Sequence, residues 1–193
     1  VFTGISINPA ALENLRSLGI KVFKVDAKTV EDVMQNIRTI GKITDRQAEA
    51  QAVVDEMKAD VERVTEAVRN LNPEEKVDVY LEFAPGWTVG SGEFIDEMIR
   101  LAGGVNIAAD QTGWYEISEE AIIQTNPDVI LYDGTMVDEN NQTLEQIIRG
   151  RSGWDEIDAV REGRMYGLDS NLLTRPGPRV TKGLIEIAKS LYP

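Results

Sequence analysis

The longest regular pattern in the sequence is a helical one that covers residues 45–71. Its apolar positions step alternately by threes and fours, and charged residues fill the other faces. This is the spacing of one amphipathic helix with a narrow apolar seam, and a helix of this length spans ~40 Å. Thr44 and Gln47 have the spacing of a capping box that would begin it. Asn72-Pro73 would end it.

The pattern before this helix predicts three shorter elements. A helix is expected over 9–18, because Asn8 can cap it and Pro9 suits its first turn. A strand is expected over 20–25, where short apolar residues alternate with lysines. A second helix then follows, which Thr29 would cap and Gly41 would end.

Beyond the long helix, short apolar runs alternate with helical stripes. The predicted strands are 77–83, 129–132 and 164–168, and the predicted helices are 93–102, 119–125, 143–148 and 178–191. Strands that alternate with helices form a parallel or mixed sheet covered on both faces. We therefore predict an α/β protein with a Rossmann-like, three-layer lobe around a central, mostly parallel sheet. Residues 1–44 would be the end of a first lobe, 45–72 a connecting helix and 73–193 a complete second lobe.

Composition and charge remove several classes of function. Hydrophobic residues make up 42% of the chain and charged residues 27%, as in ordinary globular proteins. The net charge of −13 argues against a nucleic-acid partner, because binding to a phosphate backbone needs clustered Lys and Arg. The sequence contains no Cys and no His, which excludes thiol nucleophiles, Cys/His zinc sites and His general bases. No apolar run reaches the ~20 residues of a membrane span.

The loops beyond the carboxyl ends of the strands are the expected place for a ligand. These loops are 3–6, 84–88, 133–135 and 169–179. The last holds Arg175 and Arg179 in a stretch stiffened by Pro and Gly, which favours binding over simple linkage. Asn171 and Leu172 in the same loop are further candidate ligand contacts. Arg179 has an alternative role, since it could pair with a carboxylate near the start of the last helix.

The three tryptophans divide into two kinds. Trp87 follows a Pro-Gly turn and Trp114 follows a glycine, so each is either a flat apolar contact for a ligand or a lid on the core. Trp154 lies in an amphipathic segment with Ile157 and Val160, and we expect it in the core.

Motifs for catalysis are weak. Gly90-Ser91-Gly92 lacks the third glycine of a dinucleotide fingerprint, and the chain has no P-loop. Asp133 could stand where a phosphatase-like fold places a nucleophile or metal ligand, but no acid lies two positions further on. We therefore predict a binding protein with no catalytic residue, no resident metal and no cofactor.

Six segments together resemble one known family, the substrate-binding proteins of ABC transporters for iron–siderophore complexes, haem and cobalamin. The segments are LGIKV (18–22), TVEDV (29–33), VGSGEFIDEMI (89–99), AGGVNI (102–107), NPDVI (126–130) and RPGPRV (175–180). The resemblance implies the architecture of class III periplasmic binding proteins. Two α/β lobes are joined by one long rigid helix, and the ligand lies in the cleft between them.

The resemblance also implies partners and a location. The protein would capture a chelated metal complex and deliver it to a membrane permease, docking through acidic residues, of which Glu93 would be the one in the second lobe. The alternative role of Glu93 is to stabilise a helix N-terminus. Such proteins lie outside the cytoplasm, either in the periplasm or as membrane-anchored lipoproteins on the outer face of the membrane. The ligand class stays open among a corrinoid, haem and a ferric siderophore, with cobalamin favoured because the tryptophans suit a large flat ring.

From this family we expect about a further hundred residues ahead of Val1, including a signal segment and most of the first lobe. We therefore expect half a cleft and exposed apolar surface, and we predict a homodimer. The competing interpretations are an α/β enzyme such as a metal chelatase, and a sensor or scaffold on the same fold.

Overall fold

The structure is a computed structural model that describes residues 2–3 and 8–193. The strands are β1 (Phe2–Thr3), β2 (Phe23–Lys24), β3 (Asp78–Glu82), β4 (Trp87–Val89), β5 (Val105–Asn106), β6 (Trp114–Glu116), β7 (Val129–Asp133) and β8 (Met165–Leu168). The α-helices are α1 (Pro9–Ser17), α2 (Val30–Ile43), α3 (Gln47–Val68), α4 (Phe94–Leu101), α5 (Glu119–Thr125), α6 (Leu144–Arg149), α7 (Asp158–Arg161), α8 (Ser170–Leu173) and α9 (Val180–Leu191). Short 3-10 turns lie at Pro73–Glu75 and Trp154–Glu156.

Four parallel strands form the central sheet in the order β5-β3-β7-β8. Helices connect the strands, because a parallel pair needs a long crossover. A second parallel pair, β1 with β2, lies apart from this sheet, and β4 pairs antiparallel with β6. The predicted α/β class with a parallel central sheet is confirmed.

The two faces of the sheet carry two separate apolar clusters. Val79 and Leu81 of β3 pack with residues of α2, α3, α4 and α9. Tyr80, between them in sequence, belongs to the opposite cluster with residues of α5, α6 and the turn at Trp154. Successive side chains of a strand point to opposite faces, so this alternation builds the three layers. Trp154 is fully buried, as its amphipathic segment predicts.

The long helix α3 is unbroken over 22 residues and is therefore ~33 Å long. It packs along α2 on one side and α9 on the other. It ends at Val68, slightly before the predicted Leu71. No helix in the described part of the chain combines the length and the apolar character that a bilayer crossing requires.

The junction of α2 and α3 differs from the prediction. Helix α2 continues past Gly41 to Ile43, and Thr44 caps its C-terminus rather than beginning α3. A Cβ on Gly41 would lie 2.4 Å from Cβ of Ala50, so Gly41 allows the two helices to approach closely. The predicted capping box of Thr44 and Gln47 is wrong, because the Thr44 hydroxyl donates to the Ile40 carbonyl, at 2.8 Å.

The segment before α2 is only partly as predicted. Asn8 caps α1 by accepting the Ala10 N–H, as expected, but the strand predicted over 20–25 is reduced to Phe23–Lys24. Helix α1 buries no residue, and Leu18 at its end is 74% exposed. This segment therefore leaves apolar surface uncovered.

A buried carboxylate of α3 binds side chains of the last helix, α9. Asp60, only 2% exposed, accepts hydrogen bonds from Thr181 Oγ1 at 2.9 Å and from Lys182 Nζ at 2.7 Å on α9. Arg63 lies 3.3 Å from its other oxygen. Burial opposes the charge of Asp60, but the hydrogen bonds from Lys182 and Thr181 and the nearby cations outweigh it and lower the pKa of this carboxyl.

Asp60→Ala is expected to lower the free energy of unfolding at pH 7 by about 1.5–3 kcal/mol, because it removes a charged hydrogen-bond acceptor. The folded pKa is below the unfolded value. The contribution of the Asp60 carboxylate to the free energy of unfolding is therefore present above ~pH 4. It is lost as the pH falls through the pKa of Asp60 in the folded state. Urea unfolding at pH 7 and at ~pH 3 measures both effects. Glu62→Ala on the exposed side of the same helix is the control and should change stability by less than about 0.5 kcal/mol. A loss that is equal at both pH values would contradict this account.

Candidate functional site

The carboxyl ends of β3, β7 and β8 meet at one edge of the central sheet, which we call the carboxyl edge. It consists of residues 83–89, 133–136 and 169–179, which are the last residue of β7 and the segments that follow the three strands. Because β7 lies between β3 and β8, the two outer segments start ~10 Å apart. The fourth predicted loop, 3–6, lies outside the described residues except for Thr3.

A tight turn carries the chain from β3 into β4. Trp87 donates its N–H to the Ala84 carbonyl at 2.8 Å, and Phe83 donates its N–H to the Trp87 carbonyl at 3.0 Å. Pro85 and Gly86 occupy the two central positions, and Gly86 has a φ of +76°. Pro followed by a residue of positive φ defines a type II turn. The turn therefore sets the direction in which Trp87 leaves the sheet.

Strands β4 and β6 form what we call the aromatic ribbon, residues 87–89 and 114–116. Trp87 pairs with Glu116, and Val89 pairs with Trp114. Trp87 and Trp114 therefore lie diagonally on the same face of the ribbon. They are 45% and 43% exposed. Trp114 also contacts Phe83, with ring centroids 4.8 Å apart.

Buried polar contacts hold the aromatic ribbon against the central sheet and α4. Thr88 Oγ1 donates to the Leu81 carbonyl at 2.7 Å. The amide of Asn106, at the end of β5, donates to the Val89 carbonyl at 3.0 Å and lies 3.1 Å from Asp96 of α4. These contacts connect the middle and the C-terminal end of β4 to the central sheet and to α4.

Gly90-Ser91-Gly92 extends the ribbon. Gly90 donates its N–H to the Gly113 carbonyl at 2.8 Å, and Gly113 donates back to the Ser91 carbonyl at 3.0 Å. A Cβ on Gly90 would lie 2.2 Å from the carbonyl oxygen of Gln111. Gly90 is thus required by a close approach of two backbone segments.

Polar side chains link the segments that follow β7 and β8. Asp133 accepts hydrogen bonds from the N–H and the hydroxyl of Thr135, at 2.8 and 2.6 Å. The Thr135 hydroxyl lies 3.1 Å from Oγ of Ser170. The two segments are therefore joined by a polar contact at the carboxyl edge.

Asp169 organises the start of the loop after β8. Its Oδ1 accepts hydrogen bonds from the Asn171 side chain at 2.7 Å and the Asn171 N–H at 2.9 Å. These bonds, together with the charges of Arg179 and Arg175, lower the pKa of Asp169. The amide nitrogen of Asn171 is thus engaged within the protein, and Leu172 is half-buried. Both arginines are exposed, and neither forms a salt bridge within residues 8–193.

Glu93 lies at the N-terminus of α4 and is held within the protein. Its Oε1 contacts Lys28 Nζ at 2.6 Å, and its side chain is only 13% exposed. One turn later, Glu97 accepts the N–H of Val30, the first residue of α2, at 2.6 Å. These two carboxylates connect α4 to the start of α2, a link between distant segments that the sequence does not reveal.

A buried ion pair between Glu82 and Arg151 lies beneath the carboxyl edge, and no pattern in the sequence predicts it. Glu82, the last residue of β3, is fully buried, and the Arg151 side chain is 9% exposed. Arg151 Nη1 and Nη2 donate to the two carboxylate oxygens of Glu82 at 2.8 and 2.5 Å. The guanidinium also lies over the Trp154 ring, 4.4 Å from its centroid. Such a bidentate arrangement fixes both side chains.

A cavity of about 750 Å³ lies beside the β3–β4 turn. It is lined by Pro85, Gly86, Ile147, Arg151 and residues 116–120, which include three glutamates. Neither Trp87 nor Trp114 lines it, and no residue of the loop 169–179 lines it. Among the described residues, no three acidic side chains come together as ligands for a metal ion.

The geometry defines an α/β fold in which a long helix precedes a parallel sheet with an exposed aromatic ribbon at its carboxyl edge. Residues 1–172 match the periplasmic binding protein family, and the chain belongs to this family. The resemblance inferred from the six sequence segments is therefore confirmed.

Three known proteins illustrate the relationship. The chain is 34% identical, over 99% of its length, to an uncharacterized ABC transporter substrate-binding lipoprotein, YvrC, of Bacillus subtilis. It is 29% identical, over 97% of its length, to a cobalamin-binding protein of Halobacterium salinarum. It spans 60% and 51% of these two relatives. A crystal structure from Staphylococcus epidermidis, described as a possible iron-binding (periplasmic solute-binding) protein, superposes with a TM-score of 0.79 at 29% identity, covering 95% of this chain and 71% of that one.

Proposed function

We propose that this chain is part of the solute-binding component of an ABC importer and that its carboxyl edge binds a chelated metal complex. One observation carries the proposal: Trp87 and Trp114 are both nearly half exposed on the same face of the aromatic ribbon. Large apolar rings are exposed in this way where they bind a partner or ligand. The proposal assigns no catalytic step to the protein.

The chemistry of the edge favours a large, flat ligand with polar groups around its rim. The tryptophans offer apolar faces for stacking, while Arg175 and Arg179 offer hydrogen-bond donors and positive charge to rim amides, carboxylates or phosphates. The carbonyl oxygen of Asn171 and the side chain of Leu172 would complete the contact. A corrinoid such as cobalamin has both features, and a relative from Halobacterium salinarum is named as a cobalamin-binding protein. Haem and ferric siderophores are the alternatives.

The proposal includes the arrangement of the whole importer component. Residues 1–44 would belong to a first lobe, 45–72 would connect it, and 73–193 would form the second lobe, with the ligand held between the lobes. The component would act outside the cytoplasm, in the periplasm or as a lipoprotein, as the family and the Bacillus relative suggest. Glu93 would dock the loaded protein to the permease, where a permease arginine would have to displace Lys28.

Titration with cyanocobalamin, haemin and a ferric siderophore, followed by tryptophan fluorescence, tests the proposal. We expect saturable quenching by cyanocobalamin beyond that of N-acetyltryptophanamide, which controls for absorption by the ligand. Quenching should be weaker in Arg175→Gln/Arg179→Gln than in Arg46→Gln/Arg69→Gln, a matched double change at the exposed arginines that flank α3. Absence of specific quenching by all three ligands would contradict the proposal.

We further propose that the chain self-associates through the apolar surface around α1 and β2. Leu18 is 74% exposed there, and exposed apolar surface drives association. We expect light scattering to report a mass that rises towards a dimer with concentration, and Leu18→Ser to shift this rise to higher concentration. A monomer at every concentration would refute self-association.

A further inference from the structure

The carboxylate of Glu82 has a second contact besides the ion pair with Arg151. Gly86 donates its backbone N–H to Glu82 Oε1 at 2.9 Å. Trp87 follows immediately, and its own N–H is already bonded to the Ala84 carbonyl. The side chain of Glu82 therefore satisfies the N–H at the centre of the type II turn and fixes this turn to the end of β3.

Arg151 is itself held from several directions. Its guanidinium stacks on Trp154, and its Nε lies 3.4 Å from Glu119 at the start of α5. Burial opposes its charge, but the hydrogen bonds and the negative charge of Glu82 outweigh burial and raise the pKa of Arg151. Tyr80, next to the pair, has its pKa raised by burial and by the charge of Glu82. Arg151 thus stays charged and keeps Glu82 in one position.

We infer that Glu82 and Arg151 are positioning residues, which act through the Gly86 N–H to hold Trp87 in its ligand-binding orientation. This inference rests on the proposed function of Trp87. Glu82 is fully buried, and the 9% of the Arg151 side chain that is exposed lines the cavity that Trp87 does not reach, so neither is placed to contact a ligand on the aromatic ribbon. A side chain that is ordered before binding loses less entropy on binding, and a fixed turn therefore raises affinity without adding a contact.

Two double variants separate this role from a general role in stability. Glu82→Gln/Arg151→Met removes both charges but keeps a side-chain oxygen that can accept the Gly86 N–H. Glu82→Met/Arg151→Met removes both charges and the acceptor. Neither variant leaves a buried charge unpaired, so both are expected to fold. They differ in whether the turn keeps its hydrogen bond.

The first measurement is amide hydrogen exchange of Gly86 in the ligand-free chain. We expect exchange to be about five- to tenfold faster in Glu82→Met/Arg151→Met than in the Gln-containing variant, which corresponds to the loss of one hydrogen bond. The second measurement is 19F NMR of chains labelled with 5-fluorotryptophan. The Trp87 signal should move towards that of free fluorotryptophan only in the variant without the acceptor, whereas the Trp154 signal should change in both because both lack Arg151.

Equal Gly86 exchange and equal Trp87 signals in the two variants would overturn the inference. Binding of cyanocobalamin provides the third readout, with an affinity expected to be about five- to tenfold lower in the variant without the acceptor. Failure of the unsubstituted chain to bind any metal complex would refute the proposed function. The exchange and 19F results would then still decide whether the pair positions Trp87.

Discussion

Replacing Arg151 by Met is expected to lower the free energy of unfolding by about 3–5 kcal/mol, the largest stability change that we predict. The substitution leaves the carboxylate of Glu82 fully buried with no opposite charge. The Gly86 N–H alone cannot replace two charge-assisted hydrogen bonds. Denaturant unfolding at neutral pH measures the change.

The matched control for this prediction is Glu82→Gln/Arg151→Met. Because it removes the orphaned charge together with its partner, it should recover most of the lost stability. A second control, Arg149→Met, removes an exposed arginine of α6 that pairs with Glu145 and should cost less than about 1 kcal/mol. If Arg151→Met is no more destabilising than Arg149→Met, the ion pair does not have the role assigned to it.

Replacing Trp87 or Trp114 by Ala is expected to weaken binding of cyanocobalamin by about thirtyfold or more each, the largest functional effect that we predict. Each substitution removes a half-exposed ring from the face of the aromatic ribbon. Isothermal titration calorimetry of the single variants measures the loss. Stability should change little for Trp87→Ala and by about 0.5–1.5 kcal/mol more for Trp114→Ala, which also loses the contact with Phe83.

Trp154→Phe is the control for these variants. Trp154 is fully buried beside Tyr80, so the smaller Phe should lower stability. Because Phe keeps an aromatic ring beneath the Arg151 guanidinium, affinity should stay close to that of the unsubstituted chain. Affinity that is unchanged in Trp87→Ala and Trp114→Ala would mean that the aromatic ribbon does not bind the ligand.

The sequence predicted those elements whose signals are local and repeated. The apolar seam of α3, the Thr29 cap of α2 and the buried position of Trp154 are all present in the structure. Each depends on residues within a few turns of one another, where spacing alone determines which side chains share a face.

The sequence did not predict the features that depend on distant residues. Strands β4 and β6 have only three residues each and lie next to Pro and Gly, so they carry too little alternation to be recognised. Glu82 and Arg151 are 69 positions apart, and no local pattern links them. The pattern predicts a helix end at Gly41 because glycine often ends helices, but Gly41 instead permits the close contact with Ala50.

The location of the ligand is the central claim, and hydrogen–deuterium exchange with and without saturating cyanocobalamin tests it most directly. We predict slower exchange in residues 83–89, 114–116, 133–136 and 169–179, which form the carboxyl edge and the aromatic ribbon. The groove between the C-terminal halves of α3 and α9 should exchange equally in both samples. Protection confined to that groove, or to the cavity lined by residues 116–120, would contradict the account.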